Sequence, residues 1–354
     1  MKKILITGAG GPAGVNVLRS LSSTEESLKL YGTDINNYHL EFGKPWTEKM
    51  FLIPRATSDQ YIPKLNNIIN EYQIDLVHPQ PDIEVSIVSE NRERIDAMTF
   101  LPKKKTIQIC QNKFLSANIW KEKMFPSVKA IEIRDDHLEE DIARAFNILG
   151  KKIWIRAKKG AGGTGSTPAG NIETGVNWIM YWRSRGKKWE FIAQEYLPGR
   201  NIAFQSIFKD GNLITSQARE RLEYIYPYLA PSGVTGTPIV ARTIHDDNVN
   251  KMATQAVLAI DSNATGVFCV DMKEDKSGKI CPTEINAGRF FTTSYFFSFA
   301  AKKFRIPLAN MPYILVKLAF KESIPKGSIY NILPKDLYWI RHIDCSEHLV
   351  QDLN

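Results

Sequence analysis

The sequence predicts an α/β domain followed by an α+β half, and three observations carry that prediction. Short apolar runs alternate with helical patterns over residues 1–102. A strand near the middle of the chain runs straight into a glycine-rich loop, and from Trp189 onward the chain turns strand-rich. At roughly 100–200 residues per domain, 354 residues make two or three folding units. A composition 43% hydrophobic and 24% charged is ordinary globular usage, which argues against a mostly disordered or fibrous protein.

Taken in order, KKILITG reads as a strand, GPAGVNVLRSL as a helix, LYGTDI as a strand, YIPKLNNIINEY as a helix, IDLVHP as a strand and DIEVSIVSENRERI as a helix. That βαβαβα alternation implies a parallel sheet covered by helices. Over residues 103–190 the texture is mixed: helical HLEEDIARAFNILG leads into the strand KKIWIRA and then KKGAGGTGS. Residues 191–354 hold the strands FIAQEYL, NIAFQSIFKDG, NLITSQARE, GTPIVART, GVFCVDMKED and KICPTEINA, interrupted by the helix DDNVNKMATQAVLAI. Turn chemistry in DKSGK joins the last two strands as an antiparallel hairpin.

The apolar stretch in MKKILITGAGG is too short for a signal-peptide core, and no run approaches the roughly 18 residues needed to cross a bilayer. Cys110, Cys269, Cys281 and Cys345 form no CxxC pair or His/Cys cluster, so neither a zinc site nor a disulfide scaffold is expected. A cytoplasmic protein is the expectation. The formal charge of +8 suits nucleic acid, an anionic membrane surface or polyanionic small molecules such as nucleotides. The basic residues come as scattered doublets and triplets without a helix-turn-helix, RRM or zinc-finger signature, which favours small molecules over nucleic acid or membrane.

Two glycine motifs compete for a phosphate. Gly8, Gly10, Gly11 and Gly14 follow a strand and precede a helix, and Asp34 ends the next strand 20 residues beyond Gly14, as in a dinucleotide-binding fold. The same glycines also serve a tight turn that binds nothing. In the second motif the strand ending in Arg156 leads into Gly160, Gly162, Gly163 and Gly165, a loop rich in N–H donors with a fixed cation beside it, suited to a triphosphate tail. Downstream, Gln194, Glu195, Tyr196 and Leu197 form an extended segment able to read an adenine edge. Period-2 alternation then puts Asp271 and Glu284 on neighbouring strands of the hairpin with Asn286 on the same face, a hard-oxygen set suited to Mg²⁺ shared with phosphates. Two carboxylates held that close repel unless cations neutralise them. Arg289 follows, where a guanidinium can stabilise a transferring phosphoryl group.

The order of these motifs resembles the ATP-grasp superfamily, particularly carbamoyl phosphate synthetase large subunits and biotin carboxylase, with D-alanine:D-alanine ligase more distant. The resemblance runs from the N-terminus to about Phe291. It implies a Rossmann-like pre-ATP-grasp domain over residues 1–102, a small lobe with the glycine-rich loop over 103–190, and a large lobe with the metal site and a C-terminal extension over 191–354. It implies Lys113 and Arg156 as phosphate-binding cations, Gln194 to Leu197 as the adenine hinge, and Asp271, Glu284 and Asn286 as ligands of Mg²⁺ or Mn²⁺. Arg156, Arg289 and Arg242 are the catalytic candidates. Two departures stand out: Asn201 occupies the place of an acidic ribose contact, and Glu284-Ile-Asn286-Ala-Gly-Arg289 is one residue longer than E-x-N-x-R.

The activity so implied is ATP-dependent carboxylate–amine ligation through an acyl phosphate on small-molecule substrates, with a homodimer as an assembly it allows. A phosphotransferase with the same grasp, a nicotinamide oxidoreductase using Gly8 to Gly14 and Asp34, and a non-catalytic nucleotide-binding module are the alternatives. Arg219, Arg221 and Arg242 suit either an anionic substrate or an exposed sheet face, and His78, Gln80, Asp82 and Glu84 either a ligand edge or a helix start. Phe290, Phe291, Phe296, Phe297 and Phe299 read as core packing.

Overall fold

The apolar runs that open the chain close into a parallel sheet. In the structure, a computed structural model that describes residues 1–160, 163–342 and 348–351, β1 (Lys3–Ile6), β2 (Lys29–Asp34), β3 (Lys49–Leu52) and β4 (Leu76–His78) lie in the order β3-β2-β1-β4. Ile4, Leu5 and Ile6 are all fully buried, as befits a strand covered on both faces. Ile4 and Ile6 pack with Val17, Leu18 and Leu21 of the helix Pro12–Ser22, while Leu5 packs with Leu65, Ile68 and Ile69 of the helix Tyr61–Tyr72. The edge strand β3 was not legible beforehand, because KMFL buries one residue and carries no clear alternation.

A second, antiparallel sheet joins β5 (Ala130–Ile133), β6 (Ile153–Ala157), β7 (Thr167–Ala169) and β8 (Phe191–Glu195) in the order β5-β8-β6-β7. Helices Leu138–Leu149 and Ile172–Ser184 cover one face, burying Ile142 and Ile179 against Ile153, Ile155 and Phe191. Alternation along β6 therefore sends Trp154 and Arg156 to the uncovered face, where Trp154 lies opposite Gln194 of β8.

The third sheet is antiparallel and, among the described residues, has seven strands: β9 (Asn201–Lys209), β10 (Asn212–Tyr224), β11 (Pro238–Ile244), β12 (Gly266–Glu274), β13 (Ile280–Ala287), β14 (Tyr338–Ile340) and β15 (His348–Val350), ordered β13-β12-β9-β10-β11-β14-β15. Ile202, Phe204, Val270 and Met272 pack on the helix Asp247–Ile260. The opposite face, through Ala203, Ile207, Val267 and Cys269, shares a core with the helices Tyr295–Phe304 and Met311–Ala319 and with the first sheet. Phe290, Phe291, Phe296 and Phe297 belong to that core, but Phe299 is 41% exposed and does not. β10 runs on past the expected NLITSQARE to Tyr224, which brings Arg221 into the sheet. Cys110, Cys269 and Cys281 are free and buried, whereas Cys345 lies outside the described residues. No helix among the described residues is long and apolar enough to cross a membrane.

Candidate active site

The uncovered face of the second sheet and the edge of the third enclose a cavity of about 470 Å³. β6 contributes Trp154 and Arg156, β8 Gln194 and Glu195, β10 Arg221, β12 Asp271, and β13 Glu284 and Asn286. Asp271 stands directly opposite Glu284 in the β12–β13 ladder, and Asn286 shares the Glu284 face two residues on. A register shift beside Asp271 sets Thr283 out of the pairing, and its hydroxyl donates to the Asp271 carbonyl at 3.1 Å.

Each carboxylate is already met by cations. Asp271 Oδ1 accepts from Arg221 at 2.6 Å and Oδ2 from the Asn286 amide at 3.3 Å. Glu284 Oε2 accepts from Arg156 at 2.8 Å and lies 3.3 Å from Lys113 Nζ. Burial alone would raise the Glu284 carboxyl, but Arg156 and Lys113 hold it down at about 2. Asp271 goes the other way: burial pushes it up, the Arg221 charge opposes this only in part, and the neighbouring Glu284 adds to the rise. Burial also lowers the Lys113 ammonium despite the nearby Glu284.

Lys113 opens the helix Lys113–Glu122, where Asn112 caps the free N–H groups of Phe114 and Leu115. It does not line the cavity; buried behind it, its ammonium donates to the Gly160 carbonyl at 2.6 Å and so ties the glycine loop to Glu284. Gly163 faces the cavity at φ +72°, and a Cβ there would lie 2.6 Å from the Val234 carbonyl oxygen, so the loop backbone docks against residues 225–237. Gly165 turns away: it packs on Trp189 and accepts from the Trp178 indole at 3.0 Å. Gly162 lies outside the described residues.

At the far end, Gln194, Glu195 and Leu197 line the cavity, but Tyr196 points outward, its ring beneath Lys152 at 4.1 Å. The Gln194 amide nitrogen is buried without a hydrogen-bond partner. Asn201 lines the wall and donates to the Tyr224 hydroxyl. Trp154 was not singled out from the sequence, although its period-2 relation to Arg156 was there to be read.

Arg289 reaches the cavity because Gly288, the additional residue of the longer motif, adopts φ +84° directly after β13. Its guanidinium is held by Asp82 and donates to Asn286 Oδ1 at 2.5 Å. Asp82 opens the helix Asp82–Glu90, so the polar stretch after β4 supplies an ion-pair partner to this site. Arg242 requires correction. It pairs in register with Glu220, on the opposite face of β10 from Arg221, and is held by Glu220 at 2.8 Å and Asp336 at 3.7 Å, away from the cavity. Arg219 is also kept from the cavity, fully buried with no hydrogen-bond partner among the rings of Phe291, Phe297 and Trp339. Burial lowers its pKa to about 9.

The first glycine motif is closed upon itself. Asp34 accepts from the Gly10 N–H at 3.1 Å and the Asn36 N–H at 2.9 Å, and the His39 backbone packs over Gly10. The carboxylate a dinucleotide ribose would need thus holds the turn instead.

The donor chemistry fits a hard divalent ion: two carboxylates and an amide oxygen on one face, within reach of cations that suit phosphate oxygens. Among the described residues no cluster of three or more His, Cys, Asp or Glu side chains forms, so the set depends on the Asn286 amide and on ligands brought by a substrate.

No protein-family model matches the sequence, and no curated protein matches it. Solved structures do. The biotin carboxylase domain of Hydrogenobacter thermophilus 2-oxoglutarate carboxylase, determined with MgADP, ADP and bicarbonate, aligns with TM-score 0.71 and 15% identity over 96% of this chain and 73% of that one. Carboxyaminoimidazole ribonucleotide synthase from Aspergillus clavatus, complexed with ATP, gives 0.71 and 14% over 96% and 81%. L-amino acid ligase from Bacillus licheniformis gives 0.68 and 13% over 96% and 79%. These neighbours are ATP-grasp enzymes, and with its parallel sheet, its two antiparallel sheets and the cavity between the latter, this chain has the ATP-grasp fold.

Proposed function

We propose that the protein is an ATP-dependent carboxylate–amine ligase that forms an amide through an acyl phosphate, converting ATP to ADP. The observation that carries the reading is the facing pair Asp271 and Glu284, flanked by Arg156 and Lys113 at one end of a cavity whose other end offers Gln194 to Leu197. Two structural neighbours support it: one was determined with MgADP and bicarbonate, another with ATP. We read residues 1–102 as a Rossmann-like pre-ATP-grasp domain, 103–190 as the small lobe and 191–354 as the large lobe with a C-terminal extension.

In this reading Gln194, Glu195 and Leu197 hold the adenine edge, with Trp154 beside them. Asp271, Glu284 and Asn286 would hold Mg²⁺, or Mn²⁺, whose charge neutralises phosphate oxygens and polarises the γ-phosphoryl group. Arg156 at the cavity wall and Gly163 of the glycine loop meet the triphosphate, Lys113 supports them from behind through Glu284 and the Gly160 carbonyl, and Arg289, fixed by Asp82, stabilises charge on the transferring group. Attack by the substrate carboxylate oxygen on the γ-phosphorus breaks its bond to the bridging oxygen, which leaves with ADP. The amine nitrogen then attacks the acyl carbon, phosphate departs, and the amine gives up a proton. The docked glycine loop keeps water from the acyl phosphate.

The test is ADP release with MgATP and a panel of carboxylate–amine pairs. Glu284→Gln should abolish it and Asp34→Ala should leave it within about three-fold of the parent. Turnover that survives Glu284→Gln but not Asp34→Ala would overturn the reading.

A further inference from the structure

Arg221 and Arg219 lie two residues apart on β10 and share one aromatic ring, their guanidinium carbons 5.1 and 5.0 Å from the Phe291 centroid. Only Arg221 touches the cavity, where its terminal nitrogen meets Asp271 at 2.6 Å; its Nε is buried without a partner, and Arg219 has no hydrogen-bond partner at all. Arg219 is 1% exposed and cut off from water, whereas Arg221 keeps 12% of its side chain exposed, at the cavity wall. The remaining cations nearby are occupied otherwise: Arg289 by Asp82 and Asn286, Arg156 and Lys113 by Glu284. Among the described residues Asp271 is the carboxylate that pairs with Arg221, beside the Tyr224 hydroxyl, and it is also one of the two carboxylates of the candidate metal set.

We propose that Arg221 is the anchor for the anionic group of the second substrate, a carboxylate, and that Asp271 keeps this anchor closed until Asp271 is drawn to a metal ion. The proposal rests on the ligase reading above and adds an order to it. A buried guanidinium that loses its carboxylate is strongly disfavoured, so a replacement anion gains what the pair gave up. Arg221, Arg289 and Thr292 share the cavity wall on the side of Phe291, where that anion would sit within reach of the γ-phosphoryl group. The carboxylate thus binds well only after the nucleotide and metal, and a futile anion is kept out of the resting site.

Inorganic phosphate, titrated calorimetrically without metal or nucleotide, is the probe. Asp271→Asn, nearly isosteric, removes the charge that closes the anchor, and should bind phosphate at least ten-fold more tightly than the parent. The double variant Asp271→Asn/Arg221→Met should return to parental affinity. In Glu284→Gln, which frees Arg156 and Lys113 instead, adding Arg221→Met should change phosphate affinity less than two-fold. No gain in Asp271→Asn, or a gain that persists without Arg221, overturns the proposal. Should Asp271→Asn fail to fold, phosphate affinity of the parent and of Arg221→Met in Mg²⁺ against EDTA asks the same question: a metal-dependent gain present only in the parent is expected, and an equal gain in both contradicts it. Failure of the ligase reading shows separately, as absence of MgADP binding to the parent.

Discussion

Single side chains set the electrostatics of the cavity and of the packing behind it. Glu284 is held ionised by two cations, and its removal should cost at least 100-fold in ADP release and also lower the melting temperature, since Lys113 and Arg156 are left enclosed without their carboxylate. Arg219 carries a buried charge answered only by aromatic rings. Desolvating an ion costs several kcal/mol while cation–π contacts return about 2 kcal/mol or somewhat more. Arg219→Met should therefore raise the melting temperature, and a fall would show that the cage holds the charge at a profit. Glu84 gives a pH prediction. Burial raises its carboxyl to about 7, against the pull of the Thr7 and Tyr61 hydroxyls. A group raised in the folded state adds stability that is fully present below its unfolded value, in the ordinary carboxylate range, and is lost as pH rises through about 7. Glu84→Gln should accordingly melt higher than the parent at pH 8, with the difference shrinking toward pH 5. His78 has the opposite sign: burial lowers it to about 3, so its contribution is lost as pH falls below the usual imidazole range.

Elements decide which of these side chains meet. The β12–β13 hairpin was legible because alternation and a Ser-Gly turn are local signals, and Asp271, Glu284 and Asn286 do share a face. Arg289 was legible as a residue but its position was not, because Gly288 resets the chain direction through a left-handed φ and its guanidinium then finds Asp82, 207 positions away. Arg242 was misplaced for a related reason. Parity on β11 only has meaning once its register against β10 is known, and Arg242 falls opposite Glu220. Arg221 stood in a basic stretch whose partner, Asp271, lies two strands over, beyond β9. The glycine loop adds a test at this scale. Gly163→Val puts branched carbons where the Val234 carbonyl lies and demands a left-handed φ of a β-branched residue. It should cut turnover at least ten-fold while the melting temperature moves by less than about 2 °C, because the loop contributes no core.

At the scale of the molecule, the parallel sheet and the cavity are joined through one segment. Asp82 holds Arg289, the Gln80 side chain accepts from the Phe290 N–H at 3.3 Å, the His78 ring packs on Phe290, and Asn16 donates to the Thr292 carbonyl. A shared core behind these contacts runs from Ile4 and Val17 to Phe297 and Trp339. The first sheet thus positions residues 289–292 although the candidate ligands lie on the third. Asp82→Asn should lower turnover at least ten-fold with less than a three-fold change in nucleotide affinity, since it loosens Arg289 and spares the adenine end. The central claim is that the cavity binds a nucleotide together with a divalent ion, and calorimetric titration with a non-hydrolysable ATP analogue, with and without Mg²⁺ and alongside NADH and NADPH, tests it most directly. Magnesium-dependent binding of the ATP analogue that Glu284→Gln removes, and no heat with either nicotinamide, is the expected result. Tight nicotinamide binding with no ATP signal would contradict it and return the function to the turn around Gly8 to Gly14.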